Sequence, residues 1–344
     1  MDSNEKNPAW LDAFERVFEL CKLKPDETII ILSETGSRAI NVELADDALT
    51  RMGFGFERVL VPTPPPAEGP IIRSTGATEA LGGVPEVVDQ LCKADVIIDL
   101  TIEGLMHARE TGKLLQSGAR IMNISNEHPD ILCRLVPTPE MKDQVRAAVA
   151  KCRATKQMTV VSEAGTDLTV DMSDAATVGV WGFTDRPGTL AHWPAGLVVS
   201  FPKQGSVNGQ LVFQPGDINL TFKRYFESTV TFDLKDDFVT NIAGSGVDAK
   251  LMRTYFEGFN DPLAYATSHV GWGMNPAARY EALTMYDKQD LNGTELRALA
   301  GNFLYSTGAN EFADRFTRGH FDLPMMECDI ALDGELVVKA GVLV

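Results

Sequence analysis

The chain has 344 residues, 31 of them basic and 48 acidic, which gives a formal charge of −17 and a pI near 4.7. Phosphate binding needs clustered Lys and Arg, so this balance excludes nucleic acid and an anionic membrane surface as partners. An apolar share of 44% excludes global disorder, and the length fits about two domains.

The start, MDSNEKNPAW, is polar and carries both charge signs. It lacks the basic start and apolar run of a secretory signal. No stretch approaches the roughly 20 apolar residues that cross a bilayer. The five cysteines are odd in number and show no C-x-x-C spacing. They read as free buried thiols in a reducing cytoplasm, not as a thiolate metal site.

Leu11, Phe14, Val17, Phe18 and Cys21 share one helical face. The apolar run 27–33 reads as a strand, 38–52 as a helix and 56–62 as a second strand. PTPPPAEGP (62–70) is a proline-rich loop that continues neither element. A helix at 84–92 leads into a strand at 94–100; a helix at 105–116 precedes a further strand at 119–125. Ile- and Val-rich strands separated by helices predict a parallel sheet covered on both faces. Neither G-x-G-x-x-G nor a Walker sequence follows these strands, so the layer is Rossmann-like without a dinucleotide.

After a helix at 141–154 the texture changes. Short alternating segments at 157–163, 166–172, 196–202, 209–217, 229–234 and 238–244 predict a mainly antiparallel sheet. Helices at 248–259 and 276–285 interrupt it. The end, ECDIALDGELVVKAG, reads as a hairpin turning at Asp-Gly. The expected division is an N-terminal α/β domain, 1–155, and a C-terminal α+β domain, 156–344.

Five histidines carry the question of chemistry. His320 and Asp322 are two apart, so both leave one face of an extended segment. With one more histidine they complete the 2-His-1-carboxylate set that leaves positions open on non-haem Fe(II). His269, among small residues in YATSHVGWGMNP, is either a core histidine or a ligand. His192 in LAHWPAG is either packed or a substrate contact. His107 follows the strand at 94–100, where parallel sheets bind ligands, and a histidine there can move protons near neutral pH. His128 in NEHPD reads as loop or helix-start chemistry. Gly-Ser-Gly before the helix at 248 reads as a turn and N-cap more than an anion site. Cys328 reads as a small buried hydrophobe. Ser306 lacks the G-x-S-x-G elbow of a serine hydrolase.

HWPAG with a following FP, GDINLTFKRYF, YFEGFNDPLAYATSHVGWGMNP, GNFLYSTGAN and GHFDLP…ECDI stand in this order. In these motifs the chain resembles the 2,5-dihydroxypyridine 5,6-dioxygenases, ring-cleaving enzymes of nicotinic acid catabolism. VIIDLTIEGLMH and the strand–helix order extend the resemblance more loosely to the N-terminal half. The wider relatives are M29-type aminopeptidases, which share a two-domain scaffold but bind two metals.

The resemblance implies Fe(II) held by His269, His320 and Asp322, with His107 in acid–base work. It implies that His192 and Ser306 line the pocket. It also implies a hydroxypyridine and O2 as substrates, N-formylmaleamic acid as product, and a homo-oligomer such as a hexamer. At one position the chain departs from the family: an acidic residue is expected a dozen positions before the HWP histidine, and Val180 stands there. The ring substituents recognised here can therefore differ. A competing expectation is a two-metal hydrolase, for which Glu281 and Glu295 are the available extra carboxylates. A non-catalytic small-molecule binder is the third.

Overall fold

The computed structural model describes residues 7–65 and 78–344; positions 1–6 and the part of the proline-rich loop from residue 66 lie outside the described residues. Four strands run parallel in the order Glu57–Val61, Ile29–Glu34, Val96–Asp99 and Arg120–Ile124. The last three are buried at every residue, as two covered faces require. On one face, helices Pro8–Leu20 and Ala39–Arg51 bring Phe14, Val17, Phe18, Leu44 and Leu49 onto Ile29, Ile31 and Ile98. On the other, Pro85–Leu91 and Thr111–Gln116 bring Val88, Leu91 and Leu114 onto Ile30, Ile97 and Ile121. Fully burying each of these large side chains contributes roughly 1.5–3 kcal/mol.

A fifth strand, Leu190–Trp193, joins this sheet in parallel beside Arg120–Ile124. It comes from beyond residue 155, so the chain returns to the first sheet after entering the second region. Trp193 explains the return: its ring is fully buried against Phe14, and its Nε1 donates to the Leu135 carbonyl at 2.8 Å.

The rest is antiparallel. An eight-stranded sheet includes Gln157–Ser162, Asp167–Asp171, Val207–Phe213, Val230–Lys235 and Phe238–Ala243, and the closing hairpin of Cys328–Leu332 and Glu335–Lys339 extends it. A five-stranded sheet has the order Arg315–Met325, Phe303–Asn310, Thr267–Gly273, Leu197–Phe201 and Ala176–Val180. One apolar core joins the two sheets, with Phe213 and Phe232 from the first and Val270, Tyr305, Phe321 and Leu323 from the second. The other face of the five-stranded sheet is left for the site.

Two expected helices are shorter. Of 105–116 only Thr111–Gln116 is helical, because hydrogen bonds hold the preceding backbone in another path. Of 276–285 only Ala282–Met285 is helical: Asn275 Oδ1 takes the Ala277 N–H, and the Arg279 N–H goes to Glu295. A short helix, Pro129–Arg134, begins where His128 accepts from the Asp130 N–H at 3.2 Å, so His128 is its N-cap.

Candidate metal centre

Alternation along Arg315–Met325 puts Phe321 and Leu323 into the core. His320 and Asp322 therefore leave the opposite face together, as their spacing predicts. On the neighbouring strand Gly308 lies opposite His320, and Ser306 opposite Asp322. Gly308 has φ +108°, and a Cβ there would lie 1.8 Å from the Gly319 carbonyl oxygen. Only glycine lets the two strands close at His320.

His269 reaches the same place by a bulge. Thr267 pairs with Thr307 and Val270 with Tyr305, so Ser268 and His269 share the space opposite Ser306. The extra residue keeps Val270 in the core and turns His269 toward the site. A period-2 reading of the local sequence cannot anticipate this.

The three side chains form one group whose donor atoms lie within 4.8 Å of one another. His269 Nε2 is 3.6 Å from Asp322 Oδ1, and His320 Nε2 is 3.2 Å from Oδ2. Ligands about 2.1 Å from a metal and at right angles lie about 3 Å apart, so the group is near coordinating geometry. Asp322 Oδ1 and His269 Nδ1 are buried with no hydrogen-bond partner. Buried polar atoms are normally satisfied, and Asp322 Oδ1 is the one that faces His269 Nε2, so it points to an absent ligand within the group. Two neutral imidazoles and one carboxylate leave a divalent ion with net charge +1, and they match the donor set of non-haem iron. The residues fit the group.

The electrostatics agree. Burial pushes Asp322 upward, but Arg297 and His320 overcome it and hold its carboxyl well below the usual range. Burial pulls His269 down to about 3, against the opposing pull of Asp322. The ring is neutral at pH 7, the form that binds metal. Arg297, on the helix Thr294–Ala298, donates from Nε to Asp322 Oδ2 at 2.6 Å. That bond orients the carboxylate and leaves Oδ1 directed elsewhere. Nothing in the sequence around Arg297 announces it.

His107 faces this group from the loop that follows the parallel strand Val96–Asp99. Burial lowers its pKa to about 4, with His320 adding to the drop and Asp322 opposing it. The strand order reverses between Ile29–Glu34 and Val96–Asp99, and the loop carrying His107 leaves the second of these. Open parallel sheets bind ligands at such a switch point. The Phe201 ring lies 6.2 Å from His107 and 5.4 Å from His269, both edge-on, and forms an apolar wall between them. Phe201 was visible in the FP motif but carried no assigned role. Half-exposed Phe312 lies against it, ring centroids 5.0 Å apart and tilted by 47°.

His192 Nδ1 lies 3.1 Å from the Pro194 carbonyl oxygen. A carbonyl only accepts, so Nδ1 carries the proton and Nε2 is left as an acceptor. Burial lowers its pKa to about 4. Ser306 is fully buried and donates to the Phe321 carbonyl at 2.9 Å. Val180 packs with the apolar cluster of Leu197, Val199 and Phe201, the last of which also walls the site.

The remaining expectations resolve simply. Cys328 is a buried core residue, and all five cysteines are free, although Cys92 and Cys133 are only half-buried. Gly246 is the N-cap of helix Val247–Gly258. Glu295 is committed to Arg134 at 2.7 and 2.8 Å and to the Arg279 N–H, while Glu281 is exposed. Among the described residues no other cluster of three such donors occurs.

The fold joins a parallel α/β sheet to antiparallel sheets and, among the described residues, holds one His/His/Asp cluster. A structure of AmpT from Thermus thermophilus shares the fold at a TM-score of 0.62, with 13% identity over 98% of this chain and 99% of that one. The family model for 2,5-dihydroxypyridine 5,6-dioxygenase matches residues 9–344, and the chain belongs to that family of ring-cleaving dioxygenases. The 2,5-dihydroxypyridine 5,6-dioxygenase of Pseudomonas putida is 34% identical over 332 residues, covering 95% of this chain and 94% of the relative. A solved structure of the 2,5-dihydroxypyridine dioxygenase from the same organism superposes with a TM-score of 0.91 at 34% identity, covering 97% and 96% of the two chains. No helix among the described residues is long and apolar enough to cross a membrane.

Proposed function

We propose that this chain is an Fe(II)-dependent dioxygenase that opens the ring of a hydroxylated pyridine, 2,5-dihydroxypyridine being the simplest choice, with N-formylmaleamic acid as product. The observation that carries this is the group of His269, His320 and Asp322 facing His107 in a chain of this family. Ferrous iron held by those three residues would supply a centre where O2 and the ring oxygen meet and electrons pass between them.

The protein's own groups do the rest. His107 is neutral at pH 7 and takes a proton from a ring hydroxyl at its free nitrogen, a role worth about 10²–10⁴-fold. His192 Nε2 accepts from a substrate O–H or N–H. The Ser306 proton is committed to Phe321, so its oxygen also serves as an acceptor. Phe201 keeps water from the space between His107 and His269 and offers an edge to a flat ring. Arg297 holds the Asp322 carboxylate in one orientation. Val180 stands where an acidic contact is expected, which favours a ring lacking a cationic or donor substituent at that edge. A homo-oligomer, such as a hexamer, and a cytoplasmic location belong to the same proposal; the first rests on the family resemblance and the second on the unpaired cysteines.

The competing reading is a two-metal hydrolase, raised by the likeness to AmpT. The commitment of Glu295 to Arg134 weighs against it, because a second metal needs a further free carboxylate near the first. Elemental analysis of the metal-loaded chain distinguishes the two. One ion per chain is the expected result, and two bound ions would overturn the dioxygenase reading.

A further inference from the structure

The loop that carries His107 is held by a buried carboxylate to which neither the family motifs nor the metal group assigns a role. Asp99 ends the strand Val96–Asp99 and is fully buried. Its Oδ1 accepts from the Thr101 N–H at 3.0 Å and the Thr101 hydroxyl at 2.7 Å. Its Oδ2 accepts from the Leu105 N–H at 2.8 Å and from Asn123 Nδ2. All four partners are donors, and three of them belong to the loop running toward His107.

Leu105 lies two residues before His107. Asp99 fixes its N–H, while its carbonyl accepts from the Thr111 hydroxyl and from the Ala108 N–H at 3.2 Å. The Leu105 side chain is fully buried. Gly104 is in a left-handed conformation at φ +83°, and a Cβ there would meet Asn123 Nδ2 at 2.6 Å. The loop therefore lies directly on the Asp99–Asn123 pair. A second buried carboxylate, Glu34, takes the Ile102 N–H at 3.3 Å and the Thr78 hydroxyl at 2.7 Å, and the Thr78 N–H returns to the Gly104 carbonyl at 2.8 Å. Asp99, Asn123 and His192 occupy paired positions on three adjacent strands, so their side chains leave one face of the sheet as a row.

We propose that Asp99 is a positioning residue for His107: its carboxylate, braced by Asn123, sets the path of residues 100–107 and so the place of the imidazole opposite His320 and Asp322. A stable turn needs no fully buried carboxyl group with four donors aimed at it: burial raises its pKa, the bonds from Thr101, Asn123 and Leu105 pull the other way, and burying such a group is costly unless its lone pairs are met. Fixing a proton carrier to within a fraction of an ångström is what such a brace supplies, because a displacement of about 1 Å can cost about 100-fold in rate. This inference rests on His107 being the proton carrier.

The test is a double-mutant cycle on the Fe(II)-loaded enzyme with Asp99→Asn and His107→Ala. Asn keeps the shape but turns one acceptor oxygen into a donor facing donors. Asp99→Asn should keep its metal and its KM within about twofold while kcat falls about tenfold or more. In the His107→Ala background the same change should lower kcat by less than about twofold. An equal fall in both backgrounds, or no fall in either, would overturn the proposal. Full activity of His107→Ala alone would instead overturn the role of His107. If Asp99→Asn does not fold, Thr101→Val removes one of the four bonds and Thr101→Ser restores it. A kcat loss in the first that the second recovers is expected, and equal kcat in both would overturn the inference.

Discussion

His269→Ala should yield a folded protein that retains no metal and shows no ring cleavage. The site loses one of three donors, and His320 and Asp322 alone cannot hold a divalent ion in facial geometry. Losing an outer-shell partner of a metal ligand typically costs about 10–100-fold in affinity or activity, so loss of a ligand itself should exceed 100-fold. Folding should survive, because Val270 and Tyr305 hold that part of the sheet to the core and alanine is compatible with a strand. Metal content after desalting, with thermal unfolding as the control for folding, reads the result. A variant that keeps its metal and full turnover would refute the ligand assignment.

His107→Ala should behave in the opposite way. The metal should stay, because the three proposed ligands come from two strands of the five-stranded sheet and His107 from a loop of the parallel sheet. Turnover falls by about 10²–10⁴-fold, the usual worth of a positioned proton carrier. KM changes little, since Phe201, His192 and Ser306 still shape the pocket. The lowered pKa of about 4 gives the direction of pH dependence: at pH 7 the imidazole is unprotonated and ready to accept, and activity dependent on it falls as pH drops toward 4. Loss of metal in this variant would make His107 a ligand or a folding residue instead.

The parts of this site that the sequence disclosed are those whose physics is local. His320 and Asp322 follow the two-residue repeat of a strand, so their common face is legible without a structure. His107 was placed by a general property of parallel sheets, the ligand site at the carboxyl ends of strands. His269 depends on a bulge set between the Thr267–Thr307 and Val270–Tyr305 pairs, which involve a strand distant in the chain. From its own neighbours it could equally have been a packed core histidine, and only the family motif favoured a ligand. Arg297 sits on a five-residue helix with no periodic signal, and its meaning appears only when Asp322 is beside it.

The fold divides in the same way. Long apolar runs gave the parallel strands, and the Asp-Gly turn gave the closing hairpin. The strand Leu190–Trp193 is four residues long and bounded by proline, so it reads locally as a turn. Its membership of the first sheet is a tertiary fact, fixed by the burial of Trp193. The shortened helix before Gln116 has a comparable cause. Its first turn is taken by the loop that Asp99 and Thr111 hold, and tertiary hydrogen bonds overrode helical propensity there.

His269, His320 and Asp322 should together hold one ferrous ion at which O2 opens a hydroxypyridine ring. An oxygen-electrode assay with 2,5-dihydroxypyridine, after anaerobic loading with Fe(II), tests it most directly. One O2 should be consumed per ring lost, with uptake abolished by chelation before substrate is added. Substrate loss without oxygen uptake, or no uptake by the fully loaded enzyme with any dihydroxypyridine, would contradict it.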